Sequence, residues 1–201
     1  MKRIGIIGYG SFTREVISCL KRPFDIFLYN FDKKFNINSK YNFKPLEEFN
    51  PKEYKALLTV VNERDKIVNL LPKETDYETF IHDSVKILDD NIIIGKGSII
   101  CANSILTTNI KIGDFSHINL NTTVGHDCII GNYFTSGPSV NISGNCNIGS
   151  NVYIGTNAAI REKINICNDV IIGMQSSVVK NITEPGIYAG CPVIKKSNPK
   201  L

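Results

Sequence analysis

The sequence predicts a small N-terminal α/β domain, with a Rossmann-like parallel sheet, followed by a parallel β-helix. Three observations predict it. Residues 1–80 alternate strand-like apolar runs with helix-like ones. From residue 88 onward an aliphatic side chain returns every six positions. Glycine and small residues recur at fixed offsets from it.

The six-residue repeat is the strongest of these signals. It runs through Leu88, Ile94, Ile100, Leu106, Ile112, Ile118, Val124, Ile130, Ser136, Ile142, Ile148, Ile154, Ile160, Ile166, Ile172 and Val178, and only Ser136 breaks it. Glycine follows at 95, 113, 125, 131, 137, 149, 155 and 173. Two positions earlier stand small residues, among them Ser98, Ser104, Ser116, Thr122, Cys128, Cys146, Ala158 and Ser176. A period of six is neither the 3.6 of a helix nor the 2 of a strand. It describes a short strand and a corner, repeated; three such units close a triangular coil of 18 residues. The aliphatic residue fills the axis, the small one fits beside it, and glycine is expected to ease the bend. Stacked at strand spacing, the run makes about five coils, roughly 24 Å tall.

The N-terminal part follows another rule. Residues 3–8 read as a buried strand, 8–13 as a turn, and 14–22 as a helix stopped by Pro23. A second strand over 25–29, a third over 55–61 and a helix over 63–71 stopped by Pro72 complete a parallel α/β unit. The turn nearly matches the dinucleotide fingerprint, but Thr13 stands where the third glycine belongs, and Tyr29-Asn30 replaces the acidic residue closing the second strand. NAD binding is therefore not expected. A shorter phosphate-bearing ligand over the helix N-terminus is, because free N–H groups there favour anions.

Bulk properties narrow the function. Net charge is +4 without a dense basic block, which argues against nucleic acid and suits anionic small molecules. No apolar run has the roughly 18–20 residues of a membrane span. The opening apolar run is short and broken by Gly5 and Gly8, unlike a signal peptide, so a cytoplasmic protein is expected. The six cysteines form no CxxC pair and are expected to be reduced, with Cys128 and Cys146 stacked 18 apart as packing residues.

Specific stretches extend this reading. Ile6-Ile7-Gly8-Tyr9-Gly10-Ser11 with Arg14-Glu15-Val16-Ile17, then Thr123-Val124-Gly125-His126-Asp127-Cys128-Ile129-Ile130-Gly131, and Gly186-Ile187-Tyr188-Ala189-Gly190-Cys191-Pro192 span nearly the whole chain. Together they resemble the sialic-acid O-acetyltransferase family of hexapeptide-repeat sugar acyltransferases. That family includes N-acetyltransferases of the bacillosamine and perosamine type, acting on nucleotide-linked 4-amino sugars. The resemblance implies a left-handed β-helix, although parallel crossovers are ordinarily right-handed. It implies domains at 1–82 and 83–190 and a tail at 191–201. It also implies acetyl-CoA as cosubstrate, no metal, a nucleotide-sugar acceptor used in surface-glycan biosynthesis, and a homotrimer with sites between subunits.

Residue by residue, His126 matches the family's general base and Asp127 its acidic neighbour. Independently, His126 sits two residues after core position Val124, at a corner, so its side chain should face out. A neutral imidazole takes a proton from an attacking amine or hydroxyl, and a carboxylate beside it orients the ring. Gly144 lies one coil later, where the resemblance puts a backbone N–H near the acetyl carbonyl. The family's other CoA positions map onto Thr135, Thr156 and Met174. Gly10, Ser11, Phe12 and Asn30 map onto the nucleotide-sugar site.

Four positions depart from the family's pattern, three at the nucleotide side and one near the acetyl group. Thr135 and Phe12 stand where relatives often have histidine, Tyr29-Asn30 replaces an acidic pair, and Val61 replaces a glycine. His82 resembles a structural position at the domain junction. His117 falls on another face or in a subunit groove, with substrate contact left open. Rival readings are O-acetylation of a hydroxyl, as on sialic acid, and a non-enzymatic β-solenoid. A zinc hydratase on the same prism would need three converging histidines, and only His117 and His126 fall within the repeat.

Overall fold

The computed structural model describes residues 2–32 and 40–197. The chain divides into two compact units, 1–79 and 80–201.

The first unit is a four-stranded parallel sheet, β1 (Arg3–Ile7), β2 (Phe24–Leu28), β3 (Phe43–Pro45) and β4 (Tyr54–Leu58), in the order β3-β2-β1-β4. Its apolar runs are buried as a parallel sheet requires: Ile4, Ile6, Ile7, Ile26, Phe27, Leu57 and Leu58 are closed to solvent or nearly so. Helices α1 (Ser11–Cys19) and α2 (Arg64–Leu70) follow β1 and β4. The expected helix over 14–22 thus begins and ends three residues early. Thr13 is the reason: its hydroxyl accepts the Gly10 N–H at 2.9 Å, so residues 11–13 already form the first turn. Strand β3 has no counterpart among the expected elements, being short and polar at its centre (Lys44).

One carboxylate ties the strands' opening ends together. Asp25, on β2 and buried, accepts from Arg3 at 3.1 Å, Asn42 at 3.0 Å, Tyr54 at 2.6 Å and Lys44 at 3.2 Å. Burial alone would raise its pKa, but the Tyr54, Asn42 and Lys44 bonds outweigh it and hold the carboxyl below its usual range.

The second unit is a parallel β-helix, mostly of two-residue strands, in three sheets. One face carries Ile93–Ile94, Lys111–Ile112, Ile129–Ile130, Asn147–Ile148 and Asn165–Ile166, successive strands pairing at a step of 18. The repeat residues fill the axis, where Ile118, Val124 and Ile154 are fully buried and Ile148 nearly so. Ser136 also lies inside. Its usually small neighbour position holds Phe134, fully buried, so a large side chain offsets a small one. The Ser136 hydroxyl accepts the Asn119 N–H at 2.9 Å and lies 3.1 Å from the Thr122 hydroxyl.

Leu88 departs from the expected pattern. Ile87, not Leu88, pairs with Leu106, a step of 19, and Leu88 is 64% exposed. One extra residue lies in the corner between Ile87 and Ile94, and it puts Leu88 out of phase. The first strand of the helix, Phe80–Ile81, pairs with Ile99–Ile100, so the helix starts before residue 83. At the other end Ile194–Lys195 returns antiparallel to Tyr188–Ala189, which joins this part of the tail to the helix; 198–201 lie outside the described residues.

The corners are built differently from the expectation. The left-handed residue is the third after the core residue and is usually asparagine or aspartate: Asn103, Asn109, Asn121, Asp127, Asn145, Asn151, Asn157, Asp169. These side chains tolerate that conformation best among non-glycine residues. The glycine right after the core residue has no positive φ; it is needed because coils approach closely there. A Cβ on Gly131 would lie 2.6 Å from the Ser150 nitrogen. Cys128 and Cys146 are free, buried thiols, whose sulfurs donate to the Ser143 and Arg161 carbonyls at 3.2 Å.

The Asp25 cluster sets a pH dependence. A carboxyl with a depressed folded pKa contributes stability that is full above its unfolded value of about 3.9 and lost as pH falls through the folded one. Thermal melts from pH 7 to pH 2.5 are expected to show wild type losing more stability than Asp25→Asn below about pH 4. Parallel curves for the two proteins would contradict the assignment.

Candidate active site

Two places concentrate the candidate residues. In the first unit, a pocket of about 770 Å³ opens at the carboxyl ends of β1, β2 and β4. Gly10, Ser11, Phe12 and Asn30 all line it. The sheet explains why: residues after parallel strands gather at one edge, where ligands of such sheets bind. Gly8 allows the sharp exit from β1, with φ at +94° and Val60 filling the space a side chain would need. Thr13 is buried, and its hydroxyl lies 2.9 Å from that of Thr59 on the neighbouring chain segment. The third-glycine position therefore fastens the loop to the sheet, and the Gly10 N–H is used internally. Tyr29, Asn62 and Glu63 line the same pocket. None was a site candidate from sequence, where Tyr29 stood only as a departure from an acidic pair; their place at strand ends was the available signal.

In the second unit, His126, Asp127 and Gly144 meet at one corner of the helix. His126 Nδ1 lies 2.7 Å from Asp127 Oδ2, and both side chains are about half-exposed. Asp127 has left-handed backbone, φ 59°, and its N–H donates to the Thr108 carbonyl of the preceding coil at 3.1 Å. The His126 carbonyl accepts from Asn145 at 2.8 Å in the next coil. The backbone of the pair is thus anchored on both sides, and the His126 ring lies over Gly144. A Cβ there would come 2.5 Å from His126 Nε2. Among the described residues the Gly144 N–H meets no acceptor.

Asp127's second oxygen is also held. Asn109 Nδ2 donates to Oδ1 at 2.7 Å. The Asn109 amide first, and the His126 ring next, keep the Asp127 carboxyl below its usual range, so it is ionised at neutral pH. Asn109 was not picked out from the sequence. Its signal was the 18-residue step to Asp127.

The remaining cofactor candidates lie elsewhere on the coil. Thr135 is on a strand face, buried, in register between His117 and Tyr153. Thr156 and Met174 stack on a different corner from His126, with the Gln175 N–H bonded to the Thr156 carbonyl at 2.8 Å. Met174 is 69% exposed. His117 is buried on the Thr135 face. His82 holds a local turn, its Nδ1 within 2.9 Å of the Ser84 hydroxyl. Among the described residues no group of His, Cys, Asp or Glu is arranged to hold a metal, and no helix is long and apolar enough to cross a membrane.

Comparison with solved structures identifies the architecture. The acetyltransferase domain of PglB from Neisseria gonorrhoeae, also solved with acetyl coenzyme A, superposes with a TM-score of 0.86 at 22% identity, covering 98% of this chain and all of that one. Perosamine N-acetyltransferase from Caulobacter crescentus, solved with CoA and GDP-perosamine, gives a TM-score of 0.84 at 20% identity over 98% of both chains. The chain has the fold of these acetyltransferases. WeeI from Acinetobacter baumannii is similar at 28% identity, with a TM-score of 0.85, over 98% of this chain and all of that one. No protein-family model and no curated protein sequence matches the chain.

The corner makes a direct prediction. Gly144→Ala would push the His126 ring off its seat toward solvent, at a stability cost within about 0.5 kcal/mol because the ring is free to swing out. The imidazole 15N resonances of His126 are expected to shift while the fold persists. An unchanged imidazole spectrum would show that Gly144 does not position the ring.

Proposed function

We propose that this protein transfers an acetyl group from acetyl-CoA to the amino group of a nucleotide-linked amino sugar. The observation that carries the reading is the His126 ring, braced by Asp127 and lying against the backbone of Gly144. The chemistry follows from it. With Nδ1–H directed at the Asp127 carboxylate, Nε2 carries the lone pair and accepts a proton. The sugar amine attacks the thioester carbonyl carbon as Nε2 takes its proton. The Gly144 N–H, which meets no acceptor among the described residues, stabilises the oxyanion. Collapse breaks the C–S bond, the imidazolium proton goes to the departing sulfur, and the products are an amide and CoA. No covalent enzyme intermediate is required.

The pocket at the ends of β1, β2 and β4 is assigned to the nucleotide, with Gly10, Ser11, Phe12 and Asn30 in contact. The likeness to an enzyme solved with CoA and GDP-perosamine supports this class of acceptor. Thr156 and Met174 lie on another corner of the coil from His126, and Thr135 on a face. A cosubstrate shared between neighbouring copies of the chain would meet these positions from two sides, and a homotrimer with sites between subunits is part of the proposal. Acetyl-CoA and nucleotide sugars are cytoplasmic metabolites, so the cytoplasm and surface-glycan biosynthesis are the proposed setting.

A CoA-release assay with acetyl-CoA against UDP-, GDP- and dTDP-linked 3- and 4-amino sugars and free sialic acid tests the reading. Turnover on a nucleotide amino sugar is expected, reduced about a hundredfold or more in His126→Ala. Turnover on sialic acid alone would make the protein an O-acetyltransferase. Equal turnover in wild type and variant would remove His126 from the role of base.

A further inference from the structure

The corner that carries His126 contains a bond that the transfer mechanism leaves unexplained. Asn109, one coil before Asp127, donates its side-chain amide to Asp127 Oδ1 at 2.7 Å, while Asp127 Oδ2 faces His126 Nδ1 at the same distance. The two carboxylate oxygens are therefore divided between two partners. Asn109 is itself fixed. Its φ of 50° places it in the left-handed corner position. Its N–H donates to Asp89 Oδ2 at 3.2 Å, and the adjacent Thr108 hydroxyl donates to the same oxygen. Asp89 Oδ1 accepts the Asn91 N–H at 3.0 Å. In the register of Ile87 with Leu106, residue 89 falls beside 108, a step of 19.

We propose that Asn109, seated by Asp89, is a positioning residue for the catalytic pair, fixing the Asp127 carboxylate so that its free oxygen orients the His126 ring. The inference rests on His126 being the base, and it deepens that reading. A neutral amide suits the task because it holds one oxygen without adding a charge that would compete with the imidazolium formed during transfer. An asparagine here also satisfies the left-handed backbone, which a lysine or glutamine side chain would do less well.

The same molecule contains an internal control. Asn151 donates to Asp169 Oδ1 at 2.7 Å in the corresponding positions of another corner, where no histidine precedes the aspartate. That bond joins two coils with no histidine beside the aspartate. If the Asn109 bond were only structural, the two asparagines would behave alike on removal.

Glycine is the test substitution at both sites, because it removes the amide without straining a left-handed residue. The full-length protein is compared as wild type, Asn109→Gly, Asn151→Gly and Asn109→Asp, by steady-state kinetics on the accepted amino sugar and by 15N spectra of His126. Asn109→Gly is expected to lower kcat about tenfold, the lower end of what orienting partners of a functional histidine contribute. KM for acetyl-CoA is expected to stay within about twofold, because no contact with the cosubstrate is removed. The His126 spectrum moves toward mixed tautomers. Asn109→Asp, which keeps the shape but turns a like charge on Asp127, loses at least as much. Asn151→Gly leaves kcat and the spectrum as in wild type. In an Asp127→Asn background Asn109→Gly adds no further loss, as expected of groups acting through one another. Wild-type kcat and spectrum in Asn109→Gly, or equal losses in the Asn109 and Asn151 variants, would overturn the proposal. Full activity in His126→Ala would instead overturn the catalytic reading, and the imidazole spectrum would still decide whether Asn109 positions the ring.

Discussion

The helical unit depends on one hydrogen-bonding constraint. Strand N–H groups bond to carbonyls 17 residues later, as in Ile99 to Ser116, Thr123 to Val140 and Gly125 to Ile142. Once that ladder is set, residues 18 apart lie one above another, and every corner becomes a column. The column through Asn109, Asp127 and Asn145 and the one through His126 and Gly144 are side by side for this reason alone. Chemistry at the corner thus needs no loop to fold around a ligand. It needs the right residue in the right coil, held by backbone bonds whose number grows with each coil stacked.

The same constraint explains how the sequence is to be read and where reading it stops. A six-residue aliphatic period is visible because every coil presents the same slot to the axis. The position of His126 at a corner, and its stacking against Gly144, follow by counting. Leu88 misleads because composition cannot reveal that a corner holds one residue more than its neighbours; the slip appears only when Ile87 is seen to pair with Leu106. Ser136 looks like a flaw until Phe134 is found inside with it. The repeated glycines suggest bends, yet the bends belong to the asparagines two positions on, and the glycines serve close stacking of backbones. Asn109 was legible in principle, being 18 before Asp127, but asparagines occupy so many corners that only its bond to a carboxylate also held by a histidine sets it apart.

In the N-terminal unit the shift of α1 has a physical lesson. Thr13 departs from the dinucleotide fingerprint, and its hydroxyl binds the Gly10 N–H that a pyrophosphate would otherwise meet, then joins Thr59. The loop is closed by its own side chain and still borders a pocket of about 770 Å³. The two units divide the labour proposed for the protein, one holding the acceptor's nucleotide and the other performing the transfer.

The proposed mechanism turns on acetyl transfer at the His126 corner with the Gly144 N–H as oxyanion donor. The most direct measurement is a diffraction structure of the protein with acetyl-CoA bound. The thioester carbonyl oxygen is expected within hydrogen-bond distance of the Gly144 nitrogen, about 2.7–3.1 Å, with His126 Nε2 facing the carbonyl carbon. A thioester bound at another corner, or with its carbonyl turned away from Gly144, would contradict it.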